Sequence, residues 1–197
     1  MSLMVKICGL RHAADVSAAE KAGANAVGFV FAESVRRVTP DEARDACRDL
    51  SSDVRRVAVM KHPPQALVDE VVDVFAPDVV QTDVEDFDTL SVPAGVETWP
   101  VFRQGISEPR DQATFLYEGR VSGSGTTVDW QVARSHAGAG NMVLAGGLSP
   151  DNVAEAILAV RPFGVDVSSG VESAPGVKDH DRIHAFIEAA RAAESNA

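Results

Sequence analysis

Lys6 and Cys8 stand two apart in Val5-Lys6-Ile7-Cys8-Gly9-Leu10, the alternation that puts both on one face of a strand while Val5 and Ile7 take the other. The thiolate is the reactive form of cysteine, and a neighbouring ammonium lowers a thiol pKa from its ordinary value of about 8.5. On that chemistry Cys8 could serve as a base near neutral pH. An isolated cysteine is more often a small buried apolar residue and an isolated lysine a surface one, so the remaining chain must supply an acid and a place for a substrate.

The elements that would position these groups follow a steady beat. A helix from Arg11 to Ala22, closed by Gly23, leads to an apolar strand from Ala26 to Phe31. Thr39-Pro40-Asp41-Glu42 caps a second helix through Leu50. Val54 to Met60 is the third strand, Pro63 and Pro64 begin a helix that reaches Phe75, and Asp78 to Gln81 is the fourth strand. Asp86 to Leu90 allows only a short helix before the fifth strand, Glu97 to Arg103. The sixth strand, Ala113 to Glu118, follows so soon, across Gly105 and Pro109, that the fifth helix is expected to be missing or reduced to a turn. A Gly/Ser-rich loop, Gly119 to Thr127, precedes a helix over Asp129 to Ala137 and the seventh strand, Met142 to Ala145. A helix over Pro150 to Val160, the eighth strand Gly164 to Val167 and a last helix from Asp179 complete the chain.

Eight short, Val-rich strands alternating with helices call for a parallel sheet with helices outside, and eight such units close as a single-domain (β/α)8 TIM barrel spanning residues 1–197. An open doubly wound sheet would show fewer strands and a Gly-x-Gly-x-x-Gly turn after the first, where this chain has only Cys8-Gly9-Leu10.

Such barrels carry their active sites where the strands end. Cys8 ends the first strand, Arg36 follows the second, Gln81 and Asp83 end the fourth, Arg103 the fifth and Glu118 the sixth. Gly146-Gly147 follow the seventh, and Asp166 with Ser168-Ser169-Gly170 closes the eighth. Glycine-bearing loops after the last two strands form the usual phosphate site of this architecture, completed by a short extra helix, which Gly170-Val171-Glu172 could start. Phosphate at one end, with a thiol and a carboxylate at opposite sides of the mouth, suits a cofactor-free proton transfer on a sugar phosphate. General acid and general base then need different residues, Glu118 and Cys8. Lys6, one layer deeper than Cys8, would be a buried ammonium in need of a carboxylate, for which Asp166 on the adjoining strand is the candidate. No metal site is expected, because His12, His62, His136, His180 and His184 are scattered and only His180 and His184 have i, i+4 spacing, on the outer last helix.

The chain of 197 residues has 29 acidic against 18 basic side chains, a formal net charge of −11, and only four lysines, Lys6, Lys21, Lys61 and Lys178. That balance argues against nucleic acid and anionic membranes as partners. It suits a halophile-like, high-salt cytoplasm, where screening relieves like-charge repulsion. The cysteines Cys8 and Cys47 do not suggest a disulfide framework, and no long apolar run or signal-type segment is present, so a cytoplasmic location is expected.

Several blocks together resemble the phosphoribosylanthranilate isomerase family. They are Lys6 to Leu10, Gly28-Phe29-Val30-Phe31 leading to Ser34-Val35-Arg36-Arg37-Val38, and Ser122-Gly123-Ser124-Gly125 before Val128-Asp129-Trp130. Leu144 to Val153, Val165 to Glu172, and Gly176 to Asp179 complete the set, in the family's order along the whole chain. The resemblance implies an aldose-ketose isomerisation in tryptophan biosynthesis, the Amadori rearrangement of N-(5-phosphoribosyl)anthranilate, with no cofactor, by a monomer or homodimer. It implies that Cys8 takes the C2 proton, that Arg36 pairs with the anthranilate carboxylate, and that Gly146, Gly147, Ser169 and Gly170 hold the phosphate, with Lys6, Gln81 and Asp166 lining the site. Two positions depart from the family pattern. A glutamate, Glu118, stands where an aspartate is usual as the acid, with Asp129 as the alternative, and Val80-Gln81-Thr82-Asp83 stands where Gln-Leu-His-Gly is common. Within enzymes, a different barrel acting on a ribose phosphate would want further strand-end lysines or paired aspartates. A non-catalytic phosphate-binding barrel would keep the loops and dispense with the acid and base.

Overall fold

A computed structural model of the chain describes residues 2–120 and 127–195. The Ser122–Gly125 loop singled out above lies outside the described residues. Eight parallel strands form a closed barrel in sequence order: β1 (Met4–Cys8), β2 (Ala26–Val30), β3 (Arg55–Val59), β4 (Val79–Asp83), β5 (Glu97–Arg103), β6 (Thr114–Glu118), β7 (Asn141–Leu144) and β8 (Gly164–Val167). β8 returns to pair with β1, with Lys6 opposite Asp166 and Ile7 opposite Val167. Outside lie α1 (Ala13–Ala22), α2 (Pro40–Ala46), α3 (Gln65–Phe75), α4 (Trp130–His136), α5 (Val153–Val160) and α6 (His180–Glu194).

The helix boundaries follow local chemistry. Gly23, at φ 97°, closes α1, and Thr39 and Glu42 form a reciprocal capping box at the start of α2. Asp179 caps α6 through the amides of Asp181 and Arg182. α2 stops at Ala46, four residues short of the expected end at Leu50. Between β4 and β5 there is only a 3-10 turn, Val84–Asp88, and no helix is found between β5 and β6, as the spacing requires.

Two cores result from strand alternation. Met4, Ala26, Val57, Val79, Trp99, Val101, Leu116 and Val143 fill the barrel, while Val5, Ile7, Val27, Phe29 and their counterparts pack outward against the helices. Phe75 of α3 meets Phe29 edge-on at 5.2 Å between ring centroids. The barrel filling therefore ends at Lys6 and Gln81, which are buried polar residues on inward-facing positions above the apolar layer. Polar side chains there require partners, and those partners make the site.

The C-terminal helix also fastens the first strand. Arg191 Nη2 donates to Asn25 Oδ1 at 2.7 Å, the same oxygen accepts the Val5 amide at 2.9 Å, and Glu194 accepts the Leu3 amide at 2.6 Å. Among the described residues no helix is long and apolar enough to cross a membrane.

Candidate active site

Cys8 closes β1, 7% exposed, with Lys6 fully buried two residues below it. Lys6 Nζ lies 2.8 Å from Asp166 Oδ1, the partner expected from the sequence. Burial alone would lower the lysine pKa, but the charge of Asp166 and its hydrogen bond raise it, so Lys6 stays an ammonium. The thiol behaves differently from the sequence expectation. Burial pushes the Cys8 pKa up, and this outweighs the opposing pull of the Lys6 and Lys178 charges. Cys8 therefore rests as a thiol, with Lys6 and Lys178 beside it to stabilise the thiolate. A Cβ at Gly28 on β2 would stand 3.1 Å from Cys8 Sγ and 3.2 Å from Lys6 Nζ, so glycine there is what gives the pair its room.

Across the ring, Glu118 closes β6, three strands from β1. Its carboxylate is paired with Arg103 Nη1. Arg103 closes β5 and also donates through Nε (2.9 Å) and Nη2 (2.6 Å) to Asp83 Oδ1, at the end of β4. A carboxylate, a guanidinium and a second carboxylate thus run along three adjacent strand ends. Asp129, the alternative acid, caps α4 instead, accepting from the amides of Gln131 (2.9 Å) and Val132 (3.3 Å). That role ties its carboxylate to the helix.

Arg36, in the loop after β2, is gripped by Glu172, whose oxygens accept from Nε at 2.7 Å and Nη2 at 2.8 Å. Glu172 also accepts from Lys178 Nζ at 2.8 Å, and the same ammonium donates to the Ser168 carbonyl at 2.9 Å. Burial alone would raise the Glu172 pKa. The hydrogen bonds from Arg36, Lys178 and the Gly176 amide bring it down to about 2. Burial leaves the Lys178 pKa below that of an ordinary lysine despite Glu172. Gly9, at φ 73°, makes room for the arginine stem, since a Cβ there would stand 2.6 Å from Arg36 Cδ. Around the thiol, three cations, Lys6, Arg36 and Lys178, face two carboxylates, Asp166 and Glu172, an excess of positive charge suited to an anion.

The two glycine loops follow β7 and β8 as expected. Gly146 and Gly147 both adopt positive φ, 89° and 65°. Asn152 staples their loop, donating to the Gly147 carbonyl at 2.9 Å and accepting from the Ser149 amide at 2.8 Å. Gly170 packs so closely on the Leu148 carbonyl that any Cβ would collide with it, which locks the two loops together. The extra helix expected from Gly170 onward is only a 3-10 turn, Ser169–Val171. The chain then turns extended into the hairpin β9 (Glu172–Ala174) and β10 (Val177–Lys178). Extended backbone at Glu172, closed through Gly176 at φ 78°, is what lets one carboxylate take both Arg36 and Lys178.

Gln81 is buried at an inward position of β4, and its Oε1 has no hydrogen-bond partner. A buried acceptor of this kind facing the barrel interior is available to a ligand donor. His62, which no sequence pattern ties to this rim, joins it. Its ring approaches Asp86 at 2.8 Å and Asp83 at 3.5 Å, and with Glu85 and Asp83 it brings three possible metal-ligating groups together. His180, at the start of α6, pairs with Asp15 in the first turn of α1 at 2.8 Å, and His184 stands near Glu188.

Residues 5–189 match the sequence model of the family described as N-(5'phosphoribosyl)anthranilate (PRA) isomerase. N-(5'-phosphoribosyl)anthranilate isomerase of Pelobacter propionicus is 37% identical over 209 residues, covering 98% of both chains. That of Streptococcus pneumoniae is 40% identical over 188 residues, covering 93% of this chain and 94% of the relative. Among solved structures, the phosphoribosyl anthranilate isomerase of Thermotoga maritima superposes with a TM-score of 0.85 at 31% identity, covering 97% of this chain and all of the other. A structure of phosphoribosyl anthranilate isomerase in complex with reduced 1-(o-carboxyphenylamino)-1-deoxyribulose 5-phosphate superposes with a TM-score of 0.83 at 32% identity over 97% of this chain.

Proposed function

The chain belongs to the N-(5'-phosphoribosyl)anthranilate isomerase family, and from that premise we propose how its residues convert N-(5-phosphoribosyl)anthranilate to 1-(2-carboxyphenylamino)-1-deoxyribulose 5-phosphate, a step of tryptophan biosynthesis. Glu118, protonated, gives its proton to the furanose ring oxygen. The C1–O bond breaks as the nitrogen lone pair forms a C1=N iminium. Cys8 as thiolate then takes the C2 proton, and the C2–H electron pair moves into C1=C2 while the C=N pair returns to nitrogen, giving the enolamine. Protonation at C1 and loss of the C2 hydroxyl proton leave the ketone. C2 is oxidised and C1 reduced within one molecule, so no external redox partner enters the balance.

The observation that carries this assignment is the thiol at the end of β1 with Lys6 Nζ beneath it and the Glu118 carboxyl at the end of β6. Burial raises the Cys8 pKa, so the thiol must first give its proton to solvent; the cations beside it stabilise the thiolate so formed, and the iminium acidifies the C2 proton that this thiolate takes. Arg36, held planar and bidentate by Glu172, is the group suited to the anthranilate carboxylate, and the Gly146-Gly147 and Ser169-Gly170 loops are suited to the phosphate. Gln81 Oε1 is placed to accept from a substrate hydroxyl, over a floor of Lys6 and Asp166. The acidic composition and an intermediate of amino-acid synthesis fit a cytoplasmic enzyme.

Freshly generated phosphoribosylanthranilate should lose its fluorescence when the protein is added. Cys8→Ser should lower the rate by several orders of magnitude while the reduced product analogue still binds. A fully active Cys8→Ser protein would remove the thiol from the mechanism. Glu118→Gln and Asp129→Asn, compared separately, decide the acid; the larger loss is expected for Glu118, since the Asp129 carboxylate is engaged in capping α4.

A further inference from the structure

Arg103 lies between two carboxylates from flanking strands, and the way it is divided between them bears on how Glu118 is held. Asp83 takes the Nε and Nη2 edge of the guanidinium through one oxygen, leaving the Nη1 corner to Glu118. The Asp83 side chain is 5% exposed, that of Arg103 13% and that of Glu118 15%, so the array is shielded from the solvent that would otherwise weaken it. Strand pairing fixes the order, because Arg103 stands directly opposite Glu118 in register while Asp83 stands opposite Val101 two residues earlier on β5.

We propose that Arg103 is the positioning residue for the general acid, and that Asp83 anchors the guanidinium so that its Nη1 corner is directed at Glu118. A planar fork held at its Nε edge cannot rotate freely, so the Nη1 group that meets Glu118 helps fix the direction and the distance of the carboxyl. Sharing also divides the charge. One guanidinium therefore serves two carboxylates and does not belong to Glu118 alone. The two departures from the family pattern, glutamate at 118 and aspartate at 83, then form one arrangement: the longer acid is drawn against β5 by an arginine that needs an acidic anchor on β4. His62, 3.5 Å from Asp83 and itself held by Asp86, stands on the solvent side of the anchor.

This inference rests on Glu118 being the acid, and the experiment separates the two. Steady-state kinetics with phosphoribosylanthranilate are measured for the wild type, Arg103→Met, Asp83→Asn and the double variant, beside thermal unfolding of each. Arg103→Met is expected to lower kcat by about a hundredfold with KM within about threefold. Asp83→Asn is expected to lower kcat by about tenfold, and the double variant to match Arg103→Met, because Asp83 acts through the arginine. Should Arg103→Met not fold, Arg103→Lys keeps the charge without the fork and should still lose about tenfold in kcat. Independent, multiplicative losses in the double variant would overturn the coupling. A raised KM with unchanged kcat would make Arg103 a substrate contact instead, and unchanged kinetics would remove it from the reaction. If the wild type itself fails to turn over the substrate, the functional assignment falls and this inference with it. If the wild type is active and Arg103→Met equals it, only this inference fails.

Discussion

Replacing Glu172 by glutamine keeps the shape of the side chain and removes the charge that holds Arg36 and Lys178. In the folded protein the carboxyl titrates at about 2, against an ordinary value of 4.5, because hydrogen bonds from Arg36 and Lys178 overcome the burial that would raise it. A displacement of that size is worth about 3 kcal/mol in full. The side chain is only 5% exposed, yet it sits at the barrel mouth, and screening there brings the expected loss to about 2 kcal/mol. The sign follows from the depressed pKa. Glu172 contributes its stability fully above the ordinary carboxylate range and loses it as pH falls toward about 2. Urea unfolding of wild type and Glu172→Gln should therefore show the widest gap near neutral pH, shrinking by roughly 40% by about pH 3.5 with equal m-values. KM should rise as well, since Arg36 loses the carboxylate that orients it. A gap as large at about pH 3.5 as at neutrality, or one under about 0.5 kcal/mol at neutrality, would refute the reasoning.

Further outcomes can be checked with ordinary methods. Because burial raises the Cys8 pKa, alkylation of that thiol by iodoacetamide should climb with pH well beyond the midpoint of a free cysteine, and substrate analogues should protect it. Lys6→Met strands Asp166 in the barrel and should cost about 3–5 kcal/mol, much of which the double variant Lys6→Met, Asp166→Leu should recover; no recovery in chemical denaturation would mean that the pair is not what stabilises the floor. Gly9→Ala must displace the Arg36 stem and adopt a strained positive φ, so it should raise KM by at least about tenfold, and unchanged binding of the product analogue would contradict the close packing.

Most of the barrel is legible in the chain because its strands are short, apolar and separated by capped helices. β5 and β8 begin and end where the pattern of residues places them, and the missing helix after β5 follows from the few residues available. The Lys6–Asp166 pair is also legible, since a closed ring puts β8 beside β1 and a buried ammonium needs a carboxylate. What could not be read depends on where loops fold back in three dimensions. Glu172 looks like the start of a helix until the hairpin carries it to Arg36, 136 residues away in sequence. The Asp83–Arg103–Glu118 array needs the register of three strands, which no local pattern encodes. The thiol pKa is the clearest case: sequence shows the ammonium that would lower it but not the burial that outweighs it.

Closure of the ring at β1 and β8 also fixes when the site comes into being. The lysine under the thiol finds its carboxylate 160 residues later, and the first strand is clamped by Arg191 and Glu194 near the far end of the chain. A polypeptide emerging from the ribosome therefore presents its cysteine long before β8 and α6, and the surroundings of that cysteine cannot be completed until those two elements arrive. Contacts so distant in sequence are made late and slowly. Enzyme activity should consequently be an all-or-none report on the finished molecule, and recovery of turnover during refolding should track the closing of the seam rather than the earlier gain of helical structure.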